Sequence, residues 1–218
     1  MIEAVLFDWG GTLVDGAWSD EIALRATRAA LEAIGRNEID PVDVNRWFEI
    51  NESVFRLDST DELERYMGTW QWAVGGGAHL HPDALRLLGE LRSRGLRLGL
   101  ISNTVTPGRF LTVHLEEQGL ADSFDVVLFS ADHGKRKPHP SIFEAALDEL
   151  GVSSDRALFV GDSPDADIAG AHAIGMTTVQ AIWFVERESK DGVTPDYVAR
   201  EPLEVLDIID RCLAATPS

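Results

Sequence analysis

Four short stretches carry the side chains whose chemistry stands out. Asp8-Trp9-Gly10-Gly11-Thr12 sets a carboxylate before a glycine turn, and Ser102-Asn103-Thr104 offers a hydroxyl. Lys135-Arg136-Lys137-Pro138 is basic, and Gly161-Asp162-Ser163-Pro164-Asp165-Ala166-Asp167 is acidic. The basic stretch is conspicuous because the formal net charge is -18 and the lysines are Lys135, Lys137 and Lys190. Taken singly, each stretch has a bland reading, since Asp caps turns and a basic loop can simply offset nearby acids. Together they suit transfer of an anionic group through a carboxylate. Asp8 can act as an oxygen nucleophile. A phosphoryl group needs its charge neutralised before another anion attacks it. Asp8 and Asp162 can share a Mg²⁺ ion, a hard cation that takes oxygen ligands. The Gly10 carbonyl can be a third ligand, and Asp167 can orient a metal-bound water or a ligand. Lys137 can set a fixed positive charge against the same group, and Ser102 can donate a hydrogen bond.

Such a set works only if the fold gathers it. Short apolar runs recur at Ala4–Phe7, Leu96–Ile101, Val126–Phe129, Ala157–Val160 and Thr177–Ala181. Helical patterns fall between most of them. Pro82, Pro107, Pro140, Pro164 and Pro202 are start signals; Gly95, Gly119, Gly151 and Gly175 are stops. One apolar face carries Leu85, Leu88 and Leu91, another Phe143, Leu147 and Leu150. Strands alternating with helices predict a doubly wound, parallel α/β sheet. In such sheets ligands bind outside the carboxyl ends of the strands, and each of the four stretches follows a predicted strand. The alternation breaks between the first and second strands. Helices capped by Ser19 and Thr60, and one opened by Asp40-Pro41, are expected there, followed by the glycine joint Gly75-Gly76-Gly77. Residues 16–78 are therefore read as a helical insert on the sheet, with long crossover helices packed on the core as the alternative, and residues 1–15 and 79–218 as a Rossmann-like core.

Composition narrows the function classes. A hydrophobic fraction of 44% is enough for a sizeable core. The acidic balance disfavours a nucleic-acid groove or an anionic membrane surface. No apolar run approaches the ~18 residues of a membrane span. Cys212 is the sole cysteine, which excludes internal disulfides and cysteine-built zinc sites. No basic region followed by a long apolar segment opens the chain, so a cytoplasmic location is expected.

The four stretches resemble the motifs of the haloacid dehalogenase-like hydrolase superfamily. Phe7-Asp8-Trp9-Gly10-Gly11-Thr12-Leu13 is similar to its first motif, with Asp8 in the nucleophile's place. Ile101-Ser102-Asn103 is similar to the second, Gly134 through Pro140 to the third, and Val160 through Asp167 to the fourth, metal-binding one. The resemblance implies Asp8, Ser102 and Lys137 as catalytic residues. It implies Asp8, Gly10, Asp162 and Asp167 around Mg²⁺, with Thr12 and Asn103 binding substrate. The insert resembles the substrate-selecting helical cap of phosphoglycolate phosphatase-like and haloacid dehalogenase-like enzymes, which implies that residues 16–78 are a cap domain. The expected activity is removal of phosphate from a small phosphorylated metabolite.

One departure bears on mechanism. Phosphatases of the family usually carry a second Asp two residues after the nucleophile, to move protons; here that position is Gly10. Asp15, His133 and Asp165 are possible stand-ins, and Trp18 and Trp72 could line the site. Two rival readings follow: a metal-independent 2-haloacid dehalogenase, whose halide leaves without a proton, and a non-catalytic metabolite- or partner-binding protein. Retention of Gly161-Asp162 and Asp167 argues against the dehalogenase. The substrate and the oligomeric state are not legible.

Overall fold

The computed structural model describes residues 1–15, 20–38, 60–75, 78–104 and 106–214. Its centre is a six-stranded sheet: β1 (Ala4–Phe7), β2 (Arg97–Ser102), β3 (Val126–Phe129), β4 (Ala157–Gly161), β5 (Thr177–Ala181) and β6 (Tyr197–Ala199). Every pairing is parallel, and the order is β3-β2-β1-β4-β5-β6. The predicted doubly wound sheet is therefore present. The five expected strands all appear, two of them with ends displaced by a residue. The sixth is a three-residue edge strand, Tyr197-Val198-Ala199, too short an apolar run to stand out.

Both faces of this sheet are covered, which is why its strands read as unbroken apolar runs. Successive side chains point to opposite faces. Val5, Phe7, Leu98, Leu100, Leu158 and Val160 pack in one cluster with helices α3 (Ala84–Ser93), α4 (Gly108–Glu117) and α8 (Glu204–Ala214). Chain numbering places α1 (Asp20–Ala33), α2 (Thr60–Gly75) and the short α5 (Ser130–His133) among these. Ala4, Leu6, Ile101 and Phe159 pack on the other face with α6 (Pro140–Leu150) and Ala171 of α7 (Ala169–Ala173). Gly99 lets β2 pass Leu6, since a Cβ there would lie 2.9 Å from Leu6 Cγ.

Helix signals hold with local corrections. Gly95, Gly119, Gly151 and Gly175 all have φ between +64° and +86°, the left-handed conformation that ends helices. Phe143, Leu147 and Leu150 are buried as expected, but Leu85 is exposed and Leu87 takes its place on the inner face of α3. Pro164 opens a five-residue π-helical turn, Pro164–Ile168, rather than an α-helix.

Two of the three helices expected between the first strands are present as α1 and α2; the one opened by Asp40-Pro41 lies outside the described residues. Ala26, Ala30 and Leu31 of α1 pack against Tyr66, Met67 and Trp70 of α2 in a cluster of their own. Trp70 Nε1 donates to Thr27 Oγ1 at 3.3 Å. The chain leaves the sheet and returns to it side by side. Val14 bridges Leu80 in antiparallel fashion, Asp15 N–H donates to His79 O at 2.8 Å, and His81 N–H donates to Leu13 O at 2.9 Å.

Candidate active site

Strand order alone marks the place. The connections run to one side from β1 through β2 to β3, and to the other from β4 through β5 to β6. The crevice between β1 and β4 is therefore the switch point where an open α/β sheet binds its ligands. Phe7 pairs with Val160, and Asp8 N–H donates to Val160 O at 2.9 Å. Asp8 and Asp162 thus emerge from neighbouring strands at the same level. Gly11 makes the approach possible: its φ is +83°, and a Cβ there would lie 2.6 Å from Asp162 Oδ2. Gly161 does the same for the next carboxylate, since its Cβ would lie 2.5 Å from Asp167 Oδ2.

Asp167 is only 1% exposed. The π-helical turn folds it back toward β4, where Ser163 N–H donates to Asp167 Oδ2 at 3.0 Å. One carboxylate oxygen from each of Asp8, Asp162 and Asp167 can be chosen so that all lie within 4.8 Å of one another. Lys137, 2% exposed, faces this cluster. Its Nζ donates to Asp8 Oδ1 and to Ile101 O, each at 2.7 Å, and lies 2.7 Å from Asp167 Oδ1. The Phe159 ring centroid is 5.2 Å from the same nitrogen. Thr12 Oγ1 lies 3.5 Å from Asp8 Oδ2.

The electrostatics follow from burial. Desolvation pushes the Asp8 carboxyl up to about 7; Lys137 opposes this, and Asp167 and Asp162 reinforce it. Burial and Asp167 likewise hold Asp162 above the usual carboxylate range, against the pull of Arg187. Desolvation works against the Lys137 charge, but Asp167 and Asp8 overcome it and raise the ammonium. Asp167 Oδ1 is buried against the Lys137 ammonium, 2.7 Å away. Three buried carboxylates crowd within 4.8 Å of one another, and Asp8 and Asp162 are both held above the usual range, so the cluster is short of positive charge. That donor set fits a hard divalent cation with oxygen ligands, as Mg²⁺ is.

Asp8, Lys137, Asp162 and Asp167 therefore meet as the sequence suggests. Ser102 is the last residue of β2, beside β1, and is buried. Gly10 is exposed in the turn that the Gly11 N–H closes onto Val14 O at 2.8 Å. Asn103 and Thr12, expected to bind substrate, also make contacts within the protein. Asn103 Nδ2 donates to Lys137 O at 2.9 Å and Lys137 N–H donates to Asn103 Oδ1 at 2.8 Å, so the amide clamps the lysine loop. Thr12 is fully buried, and its carbonyl accepts from Trp183 Nε1 at 2.7 Å.

Among the possible proton carriers, His133 Nε2 is engaged with Ser141 Oγ at 3.0 Å, and Asp165 Oδ1 accepts from Ser189 Oγ at 2.7 Å. Asp15 is exposed. Trp72 is 77% exposed, and Trp18 lies outside the described residues. Sequence reasoning missed Arg187, whose Nε lies 2.6 Å from Asp162 Oδ2. It follows β5, and the rule that pointed to the ends of the first four strands would have reached it there.

Known proteins resemble this chain in sequence and in fold. A family model described as haloacid dehalogenase-like hydrolase matches residues 2–175. Phosphoglycolate phosphatase of Rhodospirillum rubrum is 35% identical over 86% of this chain and 83% of its own. Phosphoserine phosphatase of Thermus thermophilus is 34% identical over 91% of this chain and 67% of its own. Among solved structures, a HAD phosphatase from Thermococcus onnurineus superposes with a TM-score of 0.69 at 26% identity, covering 95% of this chain and 98% of that one. A 2-haloacid dehalogenase from Pseudomonas syringae does so with a TM-score of 0.70 at 26% identity, covering 97% of this chain and 100% of the other.

Proposed function

The chain belongs to the haloacid dehalogenase-like hydrolases, and from that premise we propose that it is a Mg²⁺-dependent phosphatase acting on a small phosphorylated metabolite through Asp8. The observation that carries this reading is the buried cluster of Asp8, Asp162 and Asp167 facing Lys137 Nζ at 2.7 Å from Asp8. The phosphatase relatives reported above support the substrate class. Helices α1 and α2 belong to residues 16–78, which we assign to a cap that selects the substrate.

The chemistry has two halves. An Asp8 carboxylate oxygen attacks phosphorus, forming an acyl phosphate as the bond from phosphorus to the substrate oxygen breaks. Water then attacks the same phosphorus and releases Asp8 and inorganic phosphate. Lys137 offsets charge on the nucleophile and the transferred group, held in place by Ile101 O and the Asn103 clamp. Ser102 donates to the phosphoryl group from the end of β2. Asp8, the Gly10 carbonyl, Asp162 and Asp167 would hold the Mg²⁺, which when bound supplies positive charge against the phosphoryl oxygens. No side chain at Gly10 hands a proton to the departing oxygen. Substrates whose leaving oxygen is stable as an anion should therefore react best.

The test is phosphate release from alkyl, aryl and acyl phosphates, with and without Mg²⁺, beside Asp8→Asn. Aryl and acyl phosphates should turn over faster than alkyl ones. Turnover should vanish without the ion and in the variant. Alkyl rates equal to aryl ones would defeat the argument from Gly10. Halide release from a 2-haloacid without Mg²⁺ would move the assignment to dehalogenation.

A further inference from the structure

A second cation touches the carboxylate cluster from outside the four motifs. Arg187 follows β5 and places Nε 2.6 Å from Asp162 Oδ2. The Asp162 side chain is 5% exposed and that of Arg187 is 51% exposed, so one edge of the guanidinium is inside and the rest faces solvent. The strap that carries it is anchored on both sides. Ile182 N–H donates to Ala199 O at 3.0 Å, and Trp183 Nε1 donates to Thr12 O at 2.7 Å. Gln180 Nε2 donates to the Arg187 carbonyl at 2.8 Å, and Ser189 Oγ donates to Asp165 Oδ1 at 2.7 Å. Two of these anchors lie on the loops that carry Asp8 and Asp162.

Three carboxylates face two cations here, Lys137 and Arg187. Lys137 is sealed in by three oxygen contacts. Arg187 holds a single oxygen of Asp162 and keeps half its surface in water. A divalent ion bound among the same carboxylates would meet it across the width of one carboxyl group.

We infer that Arg187 is a positioning residue that shares Asp162 with the divalent ion: it steadies the cluster before the ion arrives and weakens the ion's binding afterwards. This rests on the metal site of the proposed phosphatase. The strap, rather than the four motifs, then sets how much Mg²⁺ the protein needs. Even with water-like screening, a unit charge about 5 Å from a divalent ion changes its affinity by roughly tenfold.

The experiment is calorimetric titration of Mg²⁺ into wild type, Arg187→Gln and Arg187→Lys, with thermal melts in EDTA and at saturating Mg²⁺. Arg187→Gln should bind Mg²⁺ roughly tenfold more tightly, and Arg187→Lys should stay near wild type. In EDTA the Gln variant should melt lower, and the gap should close as Mg²⁺ saturates the site, because an ion that binds only the folded protein stabilises it. Equal Mg²⁺ affinity in wild type and Arg187→Gln overturns the inference and leaves the metal site standing. Weaker binding in Arg187→Gln, rescued by Arg187→Lys, also overturns it, because the charge would then be assisting the ion. If none of the three binds Mg²⁺, the proposed ion falls and the inference with it.

Discussion

Restoring a carboxylate at position 10 isolates the proton-transfer step. A Cβ built on Gly10 meets no atom within 4 Å, and its φ lies outside the left-handed region. Gly10→Asp should therefore fold as wild type does. A positioned general acid–base group is worth ~10²–10⁴-fold in rate, or about 3–5 kcal/mol of barrier. The gain should depend on the leaving group. For an alkyl phosphate, whose departing oxygen is strongly basic, kcat should rise by at least ~100-fold. For an aryl phosphate the expelled oxygen is already stable and the gain should be small. Gly10→Asn, similar in size but unable to move a proton, should give neither. The assay is inorganic phosphate release at saturating Mg²⁺ for both substrate classes, with melting temperatures to confirm intact folds. A well-folded Gly10→Asp with no gain on alkyl phosphates, or equal gains on both classes, would refute the reasoning.

Three further outcomes follow from the same geometry. Lys137→Ala strands Asp8 and Asp167 without their shared cation, and breaking a buried ion pair from one side costs about 3–5 kcal/mol; urea unfolding in EDTA reads the loss, and an unchanged midpoint would contradict the role given to the lysine. The metal-free protein should lose stability as pH rises from about 4 to about 7. Folded Asp8 holds its proton up to about 7 while the unfolded chain releases it near 3.8, so the folded state binds more protons across that window and stability falls with pH. Urea midpoints at pH 5 and pH 8 in EDTA check the sign, and added Mg²⁺ should recover the loss at the higher pH. Gly11→Ala should destabilise and impair Mg²⁺ binding together, because φ is +83° and the new Cβ would lie 2.6 Å from Asp162 Oδ2; calorimetry and melting temperature measure both.

Much of the site was legible because each of its parts is a local pattern at a strand's carboxyl end. Asp8 and Asp162 had to meet once β1 and β4 were neighbours, and apolar runs of four residues each sufficed to place those strands. What escaped depends on contacts remote in sequence. The Asn103 amide also clamps a loop 34 residues away, and the Thr12 carbonyl accepts from an indole 171 residues away. Arg187 sits in irregular backbone with no periodicity, and only the closing of the strap brings it to Asp162. The edge strand β6 has three residues and an exposed centre, too little for an alternation to register. Leu85 is apolar and correctly spaced but faces solvent, since Leu87 and Leu88 fill the inner face of α3.

The antiparallel junction of Val14 with Leu80, with its bonds from Asp15 to His79 and from His81 to Leu13, brings the two ends of a long excursion together on a rigid seat. Such a seat behaves like a bayonet mount. The nucleophile turn is locked by its own backbone before the excursion begins, so a different attachment, longer, shorter or unrelated in shape, could be fitted between the same two ends while the reacting carboxylate stayed where it is. A protein assembled this way can change its diet without relearning its chemistry.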